Sequence, residues 1–69
     1  MTKKEKIRMA TQIADAEIII MTSSNSEEVR QAKDKVINLT NKIDSFTDLD
    51  DIQELTLVYV QDKKKKLGL

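Results

Sequence analysis

Residues 48–66 read DLDDIQELTLVYVQDKKKK, and the fold turns on how the middle of this stretch is taken. Leu57-Val58-Tyr59-Val60 has the β-branched and aromatic content of a strand. The flanks argue otherwise. Asp48, Asp50, Asp51 and Glu54 stand at the start, and Lys63, Lys64, Lys65 and Lys66 at the end. Acids at the first turn and bases at the last complement a helix dipole, and a strand has no use for that polarity. Leu49, Ile52, Leu55 and Tyr59 then fall on one helical seam, and Gly68-Leu69 supplies a C′ glycine with an apolar residue after it. The stretch therefore reads as a helix over about 48–66. The alternative is an α+β fold with short strands near 17–22 and 55–61.

Working back along the chain, Val29, Ala32, Val36, Leu39, Ile43 and Phe46 recur at steps of three and four. They make one apolar seam, with Phe46 just past the end of a helix over about 26–44. Met9, Ile13, Ala16 and Ile20 form a similar seam, widened by Ile7, Ala10 and Ala14, on a first helix over about 3–22. Each segment opens on a hydroxyl followed three residues later by an acid: Thr2 and Glu5, Ser24 and Glu27, Thr47 and Asp50. In that spacing the hydroxyl takes the N3 amide and the acid reaches back to the cap amide. The expectation is a single helical domain over 1–69, a small three-helix bundle or a helical hairpin plus third helix.

The composition agrees. Ile, Leu, Val and Phe together supply 19 of 69 residues, about 28%, and the net charge is zero, which places the chain among folded proteins. It has one glycine and no proline, too few turn residues for an all-β fold. With no cysteine or histidine, neither disulfides nor the usual metal ligands reinforce so small a core. Regular helix packing or self-association must do so. No apolar stretch is long enough for a secretory leader or a membrane span, and the lack of cysteine fits the cytoplasm. Ten lysines against two arginines, with isoleucine the commonest apolar residue, suggest an AT-rich coding genome such as a low-GC bacterium, a plasmid or a phage.

Charge alternates in blocks. Residues 1–12 carry +3, 13–28 carry −4, 29–43 carry +3, 44–62 carry −6 and the four lysines +4. In an up-down-up bundle the basic start of the first helix, with Lys3, Lys4, Lys6 and Arg8, faces the acidic run from Asp44 to Glu54. Exposed pairs contribute only about 0–1 kcal/mol each, so this pattern selects topology more than it stabilises.

No catalytic, cofactor or metal site is expected. General acid–base work needs a group poised near neutral pH, and nothing here offers one. The serines and threonines fall at cap and turn positions. The acid cluster from Asp48 to Glu54 lacks the glycine and twelve-residue loop of an EF-hand, and one glycine at position 68 cannot build a phosphate-binding loop.

The opening Met1-Thr2-Lys3-Lys4-Glu5-Lys6 resembles the start of the plasmid RNA-binding four-helix-bundle regulators, over those six residues only, and implies nothing further. The first two helices are also similar in size to the hairpin of the small sporulation phosphatases of bacilli. Ala32-Lys33-Asp34-Lys35-Val36 stands where their Ser-Gln-Glu-Leu-Asp motif belongs, so phosphatase activity is not implied.

Two segments carry more apolar surface than one helical stripe can hide: Ile18, Ile19 and Ile20, and Leu57, Val58, Tyr59 and Val60. With the first and third helices parallel, both fall in C-terminal halves at one end of the bundle. Such a surplus marks an interface. The functional expectation is a non-enzymatic protein–protein interaction module, a small adaptor, inhibitor or chaperone-like protein. Its partner is itself, as a homodimer or higher oligomer, or another protein, and no membrane. The alternative is a small nucleic-acid-binding regulator using the basic termini, with Lys63, Lys64, Lys65 and Lys66 on phosphates.

Overall fold

A computed structural model describes residues 1–69 in full. It contains three helices and no strand: α1 (Lys3–Thr22), α2 (Ser26–Thr40) and α3 (Phe46–Leu67). The all-α reading holds, and the α+β alternative falls, because 17–22 and 55–61 both lie inside helices. The reason is in the ends. A β-preference is worth at most about 1 kcal/mol per residue, and an isolated pair of short strands is marginal. A helix satisfies its own backbone, and α3 is capped at both ends. The Ser45 hydroxyl accepts from the Asp48 amide at 3.4 Å. At the other end Gly68 takes the left-handed conformation (φ 75°). There Leu69 donates to the Lys64 carbonyl at 2.8 Å and Gly68 to that of Lys65 at 3.3 Å. That is a complete Schellman motif.

At α1 the Thr2 and Glu5 box forms in both directions, amide to hydroxyl at 3.1 Å and amide to carboxylate at 3.2 Å. The other two starts shift. α2 is capped by Asn25, not Ser24, and its Oδ1 accepts from the amides of Glu27 and Glu28 at 3.0 and 3.1 Å. One carbonyl oxygen thus serves two orphan donors, which a serine one residue earlier does not reach. α3 is capped by Ser45, not Thr47, so the helix gains two residues and Phe46 becomes its first position instead of trailing α2. Both frames offer an acid three residues on. The earlier frame turns Asp48 toward Lys6, 3.3 Å away. α2 also stops sooner, at Thr40. Lys42 and Ile43 donate to Leu39 and Thr40 in tighter i→i−3 bonds, and these carry Ile43 back onto the core.

α1 is the central helix. It packs against both neighbours, whereas α2 and α3 meet at little more than a point. The molecule is accordingly flat, 34 × 25 × 16 Å along its principal axes. The residues α1 buries fully are small or medium: Ala10, Ala14, Ala16 and Ile13, the alanines letting two neighbours approach closely. α2 contributes only Ala32, and α3 contributes Ile52, Thr56 and Val60. Thr56 spends its buried hydroxyl on the Ile52 carbonyl at 2.7 Å, and no buried side-chain polar atom lacks a partner.

α1 and α3 run parallel. Lys6 reaches Asp51 at 2.6 Å as well as Asp48, and one end further on Lys63 pairs with Asp15. The complementarity between the basic start of α1 and the acidic start of α3 is therefore realised through Lys6.

Candidate apolar groove

Because α2 and α3 diverge from a shared floor, a groove runs between them. Ile13 and Glu17 of α1 form its floor, Val36, Thr40 and Ile43 one wall, and Leu49, Ile52, Gln53, Thr56 and Leu57 the other. It holds about 460 Å³. Leu57 on the α3 wall is 58% exposed. By helical periodicity Ile37 sits one turn from Thr40, and Phe46 one turn from Leu49 and two from Gln53. Neither lines the groove, and both are exposed, Phe46 at 87% and Ile37 at 56%. A first helical residue with no neighbours over its ring is a costly place for the chain's only phenylalanine.

The expected interface residues do not gather into one patch. Val60 is buried, and Tyr59 packs half-buried against the core. Ile18, Ile19 and Ile20 are half-buried as well, because the central helix has a neighbour on two sides and can hide a wider stripe. Leu57 and Val58 are exposed. With Asp15 level with Lys63, the isoleucines lie beyond Lys63. Leu57 lies lower, beside Ile13 on one side and Ile7 on the other. Only Leu57 of the seven lines the groove. Sequence pattern does not single out Ile37 and Phe46: Ile37 lies off the apolar seam of α2, and Phe46 falls on that seam by spacing although it opens α3. An apolar residue just off a seam is the available signal.

A second, shallower hollow of about 770 Å³ lies on the α1/α3 side, between Ile7, Leu55, Leu57 and Val58 with Lys3, Lys6, Asp51 and Glu54 around it. Its charges are partly satisfied by each other. The hydrogen bond from Lys6 to Asp51 raises the lysine's pKa. For Asp48, partial burial pushes upward, but hydrogen bonds from Lys6 and the chain's amino group outweigh it and hold the carboxyl below its ordinary value. The Glu5 carboxyl is lowered by its bond to Thr2, and that of Glu27 by Arg30.

The two basic clusters are separated. Lys3, Lys4 and Arg8 open α1, and Lys63–Lys66 close the parallel α3, so they occupy opposite ends of the molecule. Lys63 is held by Asp15 and Lys66 by Asp62. No three acidic side chains converge in a metal-holding cluster. The hydroxyls of Thr11, Thr22, Thr40 and Thr56 all donate to the carbonyl four residues back. No helix is long and apolar enough to cross a membrane.

The fold and groove define an open three-helix bundle with one central helix and an apolar furrow between the outer two. No protein family matches the chain, and neither does any curated protein or solved structure.

Proposed function

We propose that this chain is a non-enzymatic protein–protein interaction module that presents an apolar helical surface to its partner. The observation that carries this reading is the groove lined by Ile13, Val36, Ile43, Leu49, Ile52 and Leu57, with Ile37 and Phe46 exposed one helical turn from residues that line it. A contiguous apolar furrow of this kind is how helices dock in grooves. That the Thr2 and Ser45 hydroxyls serve as helix caps and that Asp48 and Asp51 are ion-paired with Lys6 supports a binding role over acid–base chemistry. Division of the basic residues between two ends disfavours a continuous phosphate track.

A photoreactive phenylalanine analogue in place of Phe46 tests the reading. Irradiation in the cell of origin is expected to yield a protein adduct, either a second copy or another chain. The same analogue at Asn38, exposed on α2, is expected to yield none. Equal labelling at the two positions, or no adduct at Phe46, overturns the reading.

A further inference from the structure

The two walls of the groove are lined at the same helical period. On α3 the lining recurs at Leu49, Ile52 and Thr56, and on α2 at Val36 and Thr40, with Ile43 just beyond. From Leu49 to Leu57 the α3 wall rises about 12 Å, a little over two turns. Both walls pack on α1 and barely touch each other. Three corners of a four-helix arrangement are thus filled, and the groove is the fourth, diagonal to α1. A body of that length whose side chains enter walls of this period is itself a helix.

The lining also fixes the sign of the occupant. Of the ten residues that line the groove, one is charged: Glu17, one turn along α1 from Ile13. It is half-buried and takes part in no ion pair within the chain. The hydroxyls of Thr40 and Thr56 spend their protons on the Val36 and Ile52 carbonyls, each at 2.7 Å, and keep only lone pairs for the groove. Gln53 is the one lining side chain with a proton left to donate. The polar part of the lining is therefore a carboxylate among acceptors, and it is complementary to a cation.

We infer that the groove takes one helix of a partner protein, whose apolar stripe is interrupted by a lysine or arginine that pairs with Glu17. This rests on the reading of the chain as an interaction module and names the partner's chemistry. The helix lies over α1 between α2 and α3 and completes a four-helix bundle. Its apolar side chains cover Ile13, Ile52 and Leu57. Its cation meets Glu17 away from bulk water, where a charge-assisted bond carries more weight than at an open surface. A helix with an acid at that place sets two carboxylates against each other and is rejected.

The probe is a designed amphipathic peptide of about 16 residues, long enough to be helical, with leucines on one stripe and a single lysine at its middle. Companion peptides carry norleucine or glutamate in place of the lysine. Titration of the lysine peptide into the nitrogen-15-labelled chain is expected to shift the amides of Ile13, Val36 and Leu57. That peptide is expected to bind at least about tenfold more tightly than the glutamate peptide. Glu17→Gln is expected to remove the preference and Glu17→Lys to reverse it, with helical circular dichroism unchanged. An order of affinities that neither substitution alters overturns the ion pair. Groove amides that stay unmoved up to near-millimolar lysine peptide overturn the docking. If Leu57→Glu instead dissolves a dimer of the chain with which the peptide does not compete, the occupant is a second copy and the proposal falls. In either failure a photo-adduct at Phe46 leaves the interaction reading standing, whereas the absence of any adduct removes that reading and this partner with it.

Discussion

α1 holds its two neighbours by different means. Against α3 it has Ile52, 1% exposed, with Thr56 and Val60 buried beside it, and ion pairs at both ends through Lys6 and Asp15. Against α2 the only fully buried side chain α2 offers is Ala32, and no hydrogen bond or ion pair of an α2 side chain leaves the helix. Arg30 pairs with Glu27 and Asp34, both on its own helix. Those contacts support α2 as a helix without fixing where it lies. The difference teaches that α1 and α3 are the frame, and that α2 is held chiefly by half-buried Val29, Val36 and Leu39.

The largest test of this contrast is at Ile52. Ile52→Ala is expected to lose about 2–5 kcal/mol, enough to unfold much of a small domain, as read from urea titration. Leu39→Ala on α2 is expected to lose about half as much. If it costs more than Ile52→Ala, the assignment of frame and appendage is reversed. Native-state hydrogen exchange comes next. Amides in the middle of α2 are expected to open with a free energy about 1–2 kcal/mol below that of α1 and α3, and uniform protection would erase the contrast.

Asn25→Ala removes the cap shared by two α2 amides and is expected to cost about 1 kcal/mol, while Ser24→Ala costs little. Equal losses would return the cap to Ser24. The smallest effect concerns pH. Asp48 titrates below its ordinary value in the fold, so its stabilisation is complete above about pH 4 and is lost as pH falls through the lowered value. Asp48→Asn is therefore expected to be less stable than wild type near neutrality and to lose less between about pH 5 and 2. An unchanged acid limb would show that the Lys6 contact contributes nothing to the α1/α3 frame. Lys6, with its pKa raised, keeps its share up to the ordinary lysine range and loses it as pH rises through the higher folded value.

Much of the frame was legible. The Thr2 and Glu5 box, the glycine at 68 and the parallel course of α1 and α3 follow from spacing and charge order, which are local or nearly so. The frames at Ser45 and Asn25 were not, because Asp44-Ser45-Phe46-Thr47-Asp48-Leu49-Asp50 contains two overlapping cap signals. A contact 42 residues away, Lys6 with Asp48, is realised in only one of them. The groove was less legible still. A seam says which face of a helix is apolar but not whether two helices diverge. Thus Leu57 could be read as surplus surface, whereas Ile37 and Phe46 could not be placed. Ile18–Ile20 read as surplus because nothing in the pattern reveals that α1 is the helix with two neighbours.

The central position of α1 also separates speed from persistence. Its contact with α2 closes across a three-residue connection, Ser23–Asn25, whereas Lys6 and Asp51 are 45 residues apart in the chain. Closing the longer loop from an open chain costs about 2 kcal/mol more in entropy. The weaker pair therefore forms early and shortens the search for the stronger one. Substitutions at Ala32 should then act mainly on the folding rate and those at Ile52 mainly on the unfolding rate, so the appendage serves as the nucleus and the frame as the lock.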